Sequence, residues 1–265
     1  MRKQNVKDIL MSLDFWREFG CPIEPPHLPV IIYDNVYNNI LDLGCGIGTS
    51  SVELLDLLAK EGKLYIADNN DEMVNKAKEK LLKKSKKVFS CCFDIEKKNW
   101  PLKDEYFNLI QIKFVLHQLR NINFLDEEIN RILAKNGLLV LYTRTEEHNK
   151  EIKKGIKFAL NIDIPIERGC LLETQFIERL RENFDIVYSE VFPSKLEFFK
   201  LQDFIKYFYT TYEYSFLVSN YKNLDLKPFY TYVCKYSETY NITKNSMCTI
   251  SVSYTHLTLP TTPYV

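Results

Sequence analysis

The sequence predicts an α/β fold of the doubly wound class, in which parallel strands alternate with helices. Three observations predict it. A buried strand at Ile40–Leu43 runs directly into a turn that has glycine at every second position. Two later apolar runs, Lys63–Asp68 and Val88–Ile95, each carry an aspartate at or beside their end. Helical patterns separate the strands, and such alternation implies right-handed crossovers and a parallel sheet.

The glycine turn, which we define as residues 44–48, holds Gly44, Gly46 and Gly48 and precedes a predicted helix from Thr49 to Lys60. Glycine is required where the backbone must adopt a positive φ or where a ligand lies against bare main chain. The first turn of a following helix offers unpaired N–H groups and the positive end of its dipole. The turn therefore predicts a site for a polar, oxygen-rich ligand. The alternative is a tight strand–helix turn that binds nothing.

The glycine spacing excludes two common nucleotide motifs. A dinucleotide fingerprint, G-x-G-x-x-G, would need its third glycine at Thr49 or at Ser51, and neither position has one. A phosphate-binding P-loop would need Gly-Lys-Ser or Gly-Lys-Thr at the end of the turn, and no such triplet follows.

The pattern that is present, D-x-G-x-G-x-G within LDLGCGIG, resembles the first motif of class I S-adenosylmethionine-dependent methyltransferases of the small-molecule type, with a methyltransferase-11, -12 or -25 domain. The resemblance covers about residues 35–145 and continues through the fourth strand and its exit, Phe107–Leu119, and through ILAKNGLLVLYT. It implies a Rossmann-like, mostly parallel seven-stranded sheet with an antiparallel edge strand, an N-terminal helix and a helical cap insertion. It also implies S-adenosylmethionine as the cofactor.

The resemblance assigns roles to residues at the strand ends. Asp68 would accept hydrogen bonds from the ribose hydroxyls, with Asn69 lining the same sugar. Asp94 would accept from the adenine amino group, and the main-chain N–H of Ile95 would meet a ring nitrogen. Met73 would cover one face of the adenine, unless it is an ordinary core methionine. Carboxylates at strand tips suit the carboxyl-end crevice in which open α/β sheets bind ligands.

Lys113 departs from the family pattern, because a small or amide residue is common at its position. It would point to the methionine end of the cofactor or to the substrate, or else lie along the rim. Cys45 is predicted to be a small packing residue within the turn. The complete predicted cofactor set is Asp42, Gly44, Cys45, Gly46, Gly48, Asp68, Asn69, Met73, Asp94, Ile95 and Lys113.

His117 is the one candidate catalytic residue, since a neutral imidazole can accept a proton near pH 7. The alternative is a helix-cap or packing histidine. No metal site is predicted, because the sequence has no CxxC motif and no cluster of His and Cys at metal spacing. Methyl transfer from a sulfonium needs mainly an aligned nucleophile and a dry site.

Three functions remain open at this point. The first is a methyltransferase that acts on a small molecule, and the second is a non-catalytic S-adenosylmethionine-binding or regulatory protein. The third, a nucleic-acid methyltransferase, is disfavoured by the balance of 35 Lys+Arg against 35 Asp+Glu. The sequence also has no Asn/Asp-Pro-Pro-Tyr motif after the fourth strand, and this absence counts against a nucleic-acid methyltransferase as well. We expect no nucleic-acid or membrane partner. Seven cysteines, an odd number without a signal peptide, predict reduced thiols in the cytoplasm.

The chain divides into five predicted segments. The first combines a helix with a proline-rich stretch, which would form either a lid over the cleft or a simple docked helix. The last resembles the translated sequence of a sequencing adaptor and is expected to be an artefact. The segments are the N-terminal helix and lid at 1–30, the methyltransferase core at 31–193, the helical cap insertion at 194–245, the last edge strand at 246–251 and the tail at 252–265.

Overall fold

The computed structural model describes residues 28–236 and 240–253. The predicted N-terminal helix, most of the proline-rich stretch and the tail from residue 254 lie outside the described residues. Within them, the chain forms seven strands that build one sheet in the order β3-β2-β1-β4-β5-β7-β6. The strands are β1 Tyr37–Leu43, β2 Leu58–Asp68, β3 Val88–Cys92, β4 Phe107–Lys113, β5 Leu133–Arg144, β6 Phe184–Phe198 and β7 Tyr240–Ser253.

The sheet is mostly parallel. β1 pairs in parallel with β2 and β4, β2 with β3, and β4 with β5. β7 runs antiparallel to both of its neighbours, β5 and β6. This confirms the predicted Rossmann-like, mostly parallel, seven-stranded α/β fold, in which the antiparallel pairing lies towards one edge of the sheet.

Nine helices surround the sheet in the described residues, and none of them is both long and apolar enough to cross a bilayer. The helix α3, Asp71–Leu82, begins beside the site, and the side chain of Asn70 caps its start by accepting hydrogen bonds from the amides of Glu72 and Met73. The helices are α1 Val30–Tyr33, α2 Ser51–Leu54, α3 Asp71–Leu82, α4 Leu125–Ile132, α5 Lys150–Leu160, α6 Arg168–Asn183, α7 Leu201–Phe208, α8 Tyr212–Asn220 and α9 Lys227–Tyr236.

Successive strand residues point to opposite faces, so each strand contributes to two apolar layers. On one face the strands pack against α4 and α6, through residues such as Ile129 and Phe176. On the other face they pack against α1, α2 and α3, through Ile32, Leu54 and Leu81. Both layers leave the carboxyl ends of the parallel strands at one common edge.

The predicted helix from Thr49 to Lys60 is wrong in its length. Helix α2 covers only Ser51–Leu54, a 3-10 turn follows at Leu55–Leu57, and Leu58 already pairs with Tyr37 of β1. Leu54 and Leu57 are buried, and Leu55 and Leu58 are half-buried. A short apolar run of this kind fits a helix or a strand, so its spacing does not separate the two. Pairing within the sheet decides the outcome.

The last two strands also differ from the prediction. β7 is not the edge strand. It lies between β5 and β6, and it begins six residues before the predicted strand at 246–251. At its other end it takes in Val252 and Ser253, which the sequence analysis assigns to the tail, because both pair within the sheet. β6 and β7 pair along a long hairpin, from Phe184 opposite Ser253 to Phe198 opposite Tyr240. The inserted helices α7–α9 therefore occupy 201–236, while 194–198 and 240–245 of the predicted insertion are sheet.

The inserted helices have an apolar core of their own. Phe204, Phe208 and Phe229 are buried in it together with Ile152 and Ile156 of α5. Phe204, Phe208 and Phe229 thus serve as packing between the inserted helices and α5.

Candidate ligand site at the carboxyl edge of the sheet

The glycine turn has the backbone that its sequence predicts. The φ angles of Gly44, Gly46 and Gly48 are +81°, +52° and +73°, all in the left-handed region. The amides of Gly44 and Cys45 donate to the carbonyl oxygen of Ala67 at 2.7 and 2.9 Å, which ties the turn to the end of β2.

Only one of the three glycines faces open space. A Cβ on Gly44 would lie 2.2 Å from Cγ2 of Val115, and a Cβ on Gly48 would lie 3.0 Å from Cβ of Ala77. A Cβ on Gly46 would meet nothing within 4 Å. Gly44 and Gly48 therefore permit close packing, whereas Gly46 presents bare main chain to whatever lies above the turn.

Asp68, at the tip of β2, is joined directly to this open part of the turn. Its Oδ2 accepts the amide of Gly46 at 3.0 Å, and its Oδ1 accepts the amide of Asn70 at 3.0 Å. Burial raises the pKa of the Asp68 carboxyl, while these amides and that of Asn69 oppose the rise. Each carboxylate oxygen keeps acceptor capacity for a further donor, such as a hydroxyl. Asn69 is exposed beside it.

Asp94 lies at the same edge of the sheet, two residues beyond the end of β3, the next strand outward. Asp68 pairs with Cys92 in the β2–β3 register, and the amide of Phe93 donates to the carbonyl oxygen of Asp68 at 3.1 Å. Asp94 is half-buried and accepts the amide of Glu96 at 3.0 Å. The structure thus brings Asp68 and Asp94 to neighbouring strand ends.

Ile95 and Met73, the other two residues predicted near an adenine, are both buried. The side chain of Ile95 belongs to the apolar layer under α4 and α6, so only its main chain is offered to a ligand. Met73 is 4% exposed on α3.

Two residues of the predicted set lie beneath the turn. Asp42 is 1% exposed, and its carboxylate accepts hydrogen bonds from Oγ of Ser51 at 2.5 Å and Nε2 of Gln111 at 3.1 Å. Burial raises its pKa. Cys45 packs in the layer against α1–α3, and burial raises the pKa of its thiol. Their side chains brace the turn from below and do not line the open space above it.

Lys113 ends β4, beside the turn. Because Asp42 pairs with Gln111, Lys113 comes level with the first residue of the glycine turn. Its Nζ lies 4.7 Å from the ring centroid of Tyr142. Burial lowers the pKa of Lys113, while the carboxylates of Glu53 and Asp42 oppose that shift.

Glu53 was not predicted from the sequence. It lies on α2, and its Oε2 is buried without a hydrogen-bond partner among the described residues. An acid in the first turn of a helix is so common that the sequence offered no signal for it.

His117, the candidate base, is a buried residue. Phe114, just after β4, has a φ of +57°, which is rare for a bulky residue, and a 3-10 turn follows at Leu116–Gln118. His117 is 7% exposed under α6. Burial, together with the nearby Arg144, lowers its pKa well below the usual value, which keeps the imidazole neutral.

The described residues contain no group of three or more His, Cys, Asp and Glu side chains arranged to hold a metal ion. The chemistry available at this edge is therefore that of main-chain amides, two strand-tip carboxylates, a lysine and a neutral imidazole.

The sequence of this region is similar to that of known methyltransferases. Residues 41–141 match the methyltransferase domain family. The ubiquinone/menaquinone biosynthesis C-methyltransferase UbiE of Neisseria gonorrhoeae is 30% identical over 107 residues, which are 39% of this chain and 42% of that protein. The sterol 4-C-methyltransferase strm-1 of Caenorhabditis elegans is 28% identical over 154 residues, 57% of this chain and 45% of that protein. The chain thus spans less than half the length of these curated relatives.

Solved structures show the same fold at low sequence identity. The YcgJ protein of Bacillus subtilis superposes with a TM-score of 0.55 at 14% identity, over 84% of this chain and 96% of that chain. An S-adenosylmethionine-dependent methyltransferase from Aquifex aeolicus superposes with a TM-score of 0.51 at 21% identity, over 69% of this chain and 89% of that chain.

Proposed function

We propose, on the premise that residues 41–141 are a class I methyltransferase domain, that this protein transfers a methyl group from S-adenosylmethionine to a small-molecule acceptor. The observation that carries the proposal is the open main chain of Gly46 hydrogen-bonded to the strand-tip carboxylate of Asp68. A ligand with a flat edge and vicinal hydroxyls fits against bare backbone beside a carboxylate that still has acceptor capacity.

The strand order gives the ligand its direction. In the proposed arrangement the adenine lies at Asp94 on the outer strand and the ribose at Asp68, and the sulfonium lies over the glycine turn. The amino-acid end then points to β4, where Lys113 and Glu53 offer one cation and one anion. The lysine complements the carboxylate of the amino-acid end, and the glutamate complements its ammonium group.

Asp42 and Cys45 act in this proposal from below, by holding the turn in shape. Met73 and the main chain of Ile95 would border the adenine, with Asn69 beside the ribose.

The chemical step requires little from the protein beyond alignment. The methyl carbon is already activated by the positive sulfur, so the acceptor atom must be held in line at about 3–3.5 Å and water excluded. Both curated relatives reported above are named as C-methyltransferases, one of ubiquinone/menaquinone biosynthesis and one of sterols, which supports a small-molecule acceptor here.

Calorimetry on the full chain tests the proposed site. S-adenosylmethionine and S-adenosylhomocysteine should bind, and 5′-methylthioadenosine, which lacks the amino-acid end, should bind more weakly. Lys113→Met should weaken binding of S-adenosylhomocysteine by roughly tenfold, the value of one charge-assisted hydrogen bond, and should leave 5′-methylthioadenosine unaffected. Absence of binding by all three compounds would overturn the proposal.

Methyl transfer itself is tested by release of S-adenosylhomocysteine when the protein is given S-adenosylmethionine and a small-molecule extract. Binding without any turnover in extracts that contain quinones, sterols and other metabolites would favour the non-catalytic binder instead.

We also propose that the protein acts in the cytoplasm, without a nucleic-acid or membrane partner. Support comes from six free cysteines among the described residues and from the balance of acidic and basic side chains.

A further inference from the structure

A buried acid on α6, Glu173, lies against the candidate base His117. Glu173 is 1% exposed, and its Oε1 lies 3.6 Å from Nδ1 of His117. Neither atom has a hydrogen-bond partner among the described residues. Buried polar atoms in folded proteins are nearly always paired, so two such atoms facing each other indicate a hydrogen bond that forms between them.

The fold brings these two residues together through a close contact between α6 and the 3-10 turn. A Cβ on Gly169 would lie 2.4 Å from the carbonyl oxygen of His117, so glycine is what allows α6 to start directly on this turn. Glu173 follows four residues later, on the same face of α6. Its Oε2 accepts the amide of Arg144 at 3.0 Å, and the amide of His117 also donates to the carboxylate. Main-chain donors from two elements therefore hold the carboxylate in place.

The 3-10 turn is also joined to the proposed cofactor site. Val115 directly precedes it, and its side chain occupies the space that a Cβ on Gly44 would need. His117 thus lies two residues from a side chain that packs on the glycine turn.

The charged and titratable groups around the pair come from β5 and from the start of α6. Arg144 ends β5 and pairs with Glu167 at 3.3 Å, and Cys170 lies on α6 near both acids. Burial raises the pKa of Glu173 to about 7 against the opposing charge of Arg144. Burial and Arg144 together keep His117 uncharged. Near neutral pH the pair therefore gains or loses one proton, that of the Glu173 carboxyl, while the neutral imidazole keeps its own N–H proton.

We propose that Glu173 is a positioning residue for His117, and that it prepares Nε2 of the imidazole to take the proton that the acceptor loses. This inference rests on the proposed function. When Glu173 is ionised it accepts Nδ1–H, which leaves the lone pair on Nε2. When Glu173 is protonated it donates to Nδ1, the imidazole proton moves to Nε2, and the base is blocked.

The reaction balances with this arrangement. The nucleophilic atom of the acceptor bonds to the methyl carbon, and the carbon–sulfur bond breaks with its electron pair on sulfur, giving S-adenosylhomocysteine. The proton of the acceptor passes to Nε2, and the resulting imidazolium is stabilised by the Glu173 carboxylate.

Nitrogen NMR of the ¹⁵N-histidine-labelled full chain tests the contact without any acceptor. The sequence has four histidines, and a His117→Gln variant assigns the signal of interest. As the pH is raised from roughly 5 to 9, a range that includes the usual histidine pKa, His117 should remain neutral while its proton moves from Nε2 to Nδ1. The midpoint should lie at about 7, where Glu173 ionises.

The matched variants are Glu173→Gln and Glu167→Gln. Glu173→Gln should abolish the tautomer switch, because an amide does not ionise. Glu167→Gln removes a neighbouring carboxylate that does not touch His117, and it should keep the switch. An unchanged tautomer across this range in the wild-type protein, or a switch that persists in Glu173→Gln, would overturn the inference. The wild-type titration decides the matter even if Glu173→Gln does not fold.

Two further readouts separate this inference from the proposed function. Both variants should bind S-adenosylhomocysteine as the wild type does, and failure of the wild type to bind would count against the proposed function alone. In the extract assay the activity of the wild type should rise with pH through about 7, as Glu173 ionises. Glu173→Gln should remove this rise and should lower kcat by roughly tenfold or more, which is a part of the rate enhancement that a general base contributes. A kcat and pH profile equal to those of the wild type would contradict the positioning role.

Discussion

At the scale of single residues, the candidate site depends on a few backbone amides aimed at one carboxylate. Asp68 is held by the amides of Gly46 and Asn70, one on each oxygen. It therefore needs no reorganisation before it accepts a hydroxyl. Such preorganisation favours a ligand that supplies two adjacent donors, as a ribose does.

Asp68→Ala should weaken binding of S-adenosylhomocysteine by about 1.5–3 kcal/mol, the contribution of hydrogen bonds to a charged group. Calorimetry gives the affinity, and thermal unfolding checks that the domain stays folded. Asp71→Ala is the matched control. It removes an exposed carboxylate three residues away, which accepts a hydrogen bond from the side chain of Asn75, and it should leave the affinity unchanged.

Gly46→Val should abolish binding, because its side chain would enter the space that lies open above the turn. The substitution should also lower the free energy of unfolding by about 1–2 kcal/mol, because a branched residue is strained at the positive φ of this position. Gly46→Ala separates the two effects, because it carries similar strain with a smaller obstruction and should retain weak binding. Wild-type affinity in Gly46→Val would contradict the placement of the ligand.

The residues that the sequence predicted are those whose type is demanded by local geometry. Glycine at a positive φ and acids at strand ends have recognisable spacing. Glu53 and Glu173 have none, because their importance comes from burial against segments that are distant in sequence. Asp42 and Cys45 belong to the predicted cofactor set, and both side chains are buried beneath the turn, Cys45 as the packing residue that the sequence predicts.

At the scale of secondary-structure elements, a buried cluster of polar side chains connects the inserted helices to the sheet by hydrogen bonds. Lys244 of β7 is 7% exposed and donates to Oδ1 of Asn149 at 2.8 Å. Asn149 in turn donates to Glu213 of α8 at 3.0 Å and accepts from Tyr207 of α7 at 2.9 Å. One amide thus joins a strand of the sheet to two helices of the insertion.

Lys244 makes the stability of the protein depend on pH. Burial lowers its pKa to about 7 from 10.5, so the unfolded chain binds the extra proton between these values. The free energy of unfolding should therefore rise from pH 7 to 9, by an amount that Lys244→Met removes. Urea unfolding at several pH values measures it. Lys206→Met, at an exposed ion pair of α7, is the control and should keep the slope. A slope unchanged in Lys244→Met would show that another group causes it.

The elements that the sequence misplaced are those decided by long-range pairing. The short α2 and the early start of β2 follow from contacts with β1, which a local pattern does not contain. The position of β7 between β5 and β6 is likewise set by two partners far away in the chain. The parallel core was predictable because each of its strands carries an apolar run of its own, and because Asp68 and Asp94 mark the ends of two of them.

At the scale of the whole molecule, equal numbers of acidic and basic residues leave no net charge to attract polyanions. Recognition must then come from the shape and polarity of the edge where the parallel strands end. A ligand that binds the folded chain at that edge and not the unfolded chain stabilises the fold by mass action.

S-adenosylhomocysteine at about 100 times its dissociation constant should raise the melting temperature by about 5–10 °C, from roughly 2.7 kcal/mol of added stability. Differential scanning calorimetry measures the shift. NAD⁺ and ATP at the same concentration should produce no comparable change, because the glycine spacing fits neither. An equal shift with all three compounds would indicate non-specific binding.

The most direct test of the central claim is a crystal structure of the full chain with S-adenosylhomocysteine. The ribose hydroxyls should lie within hydrogen-bond distance of Asp68, with the adenine at Asp94 and the sulfur over Gly46. A ligand bound elsewhere, or one bound at this edge without contact to Asp68, would contradict the account.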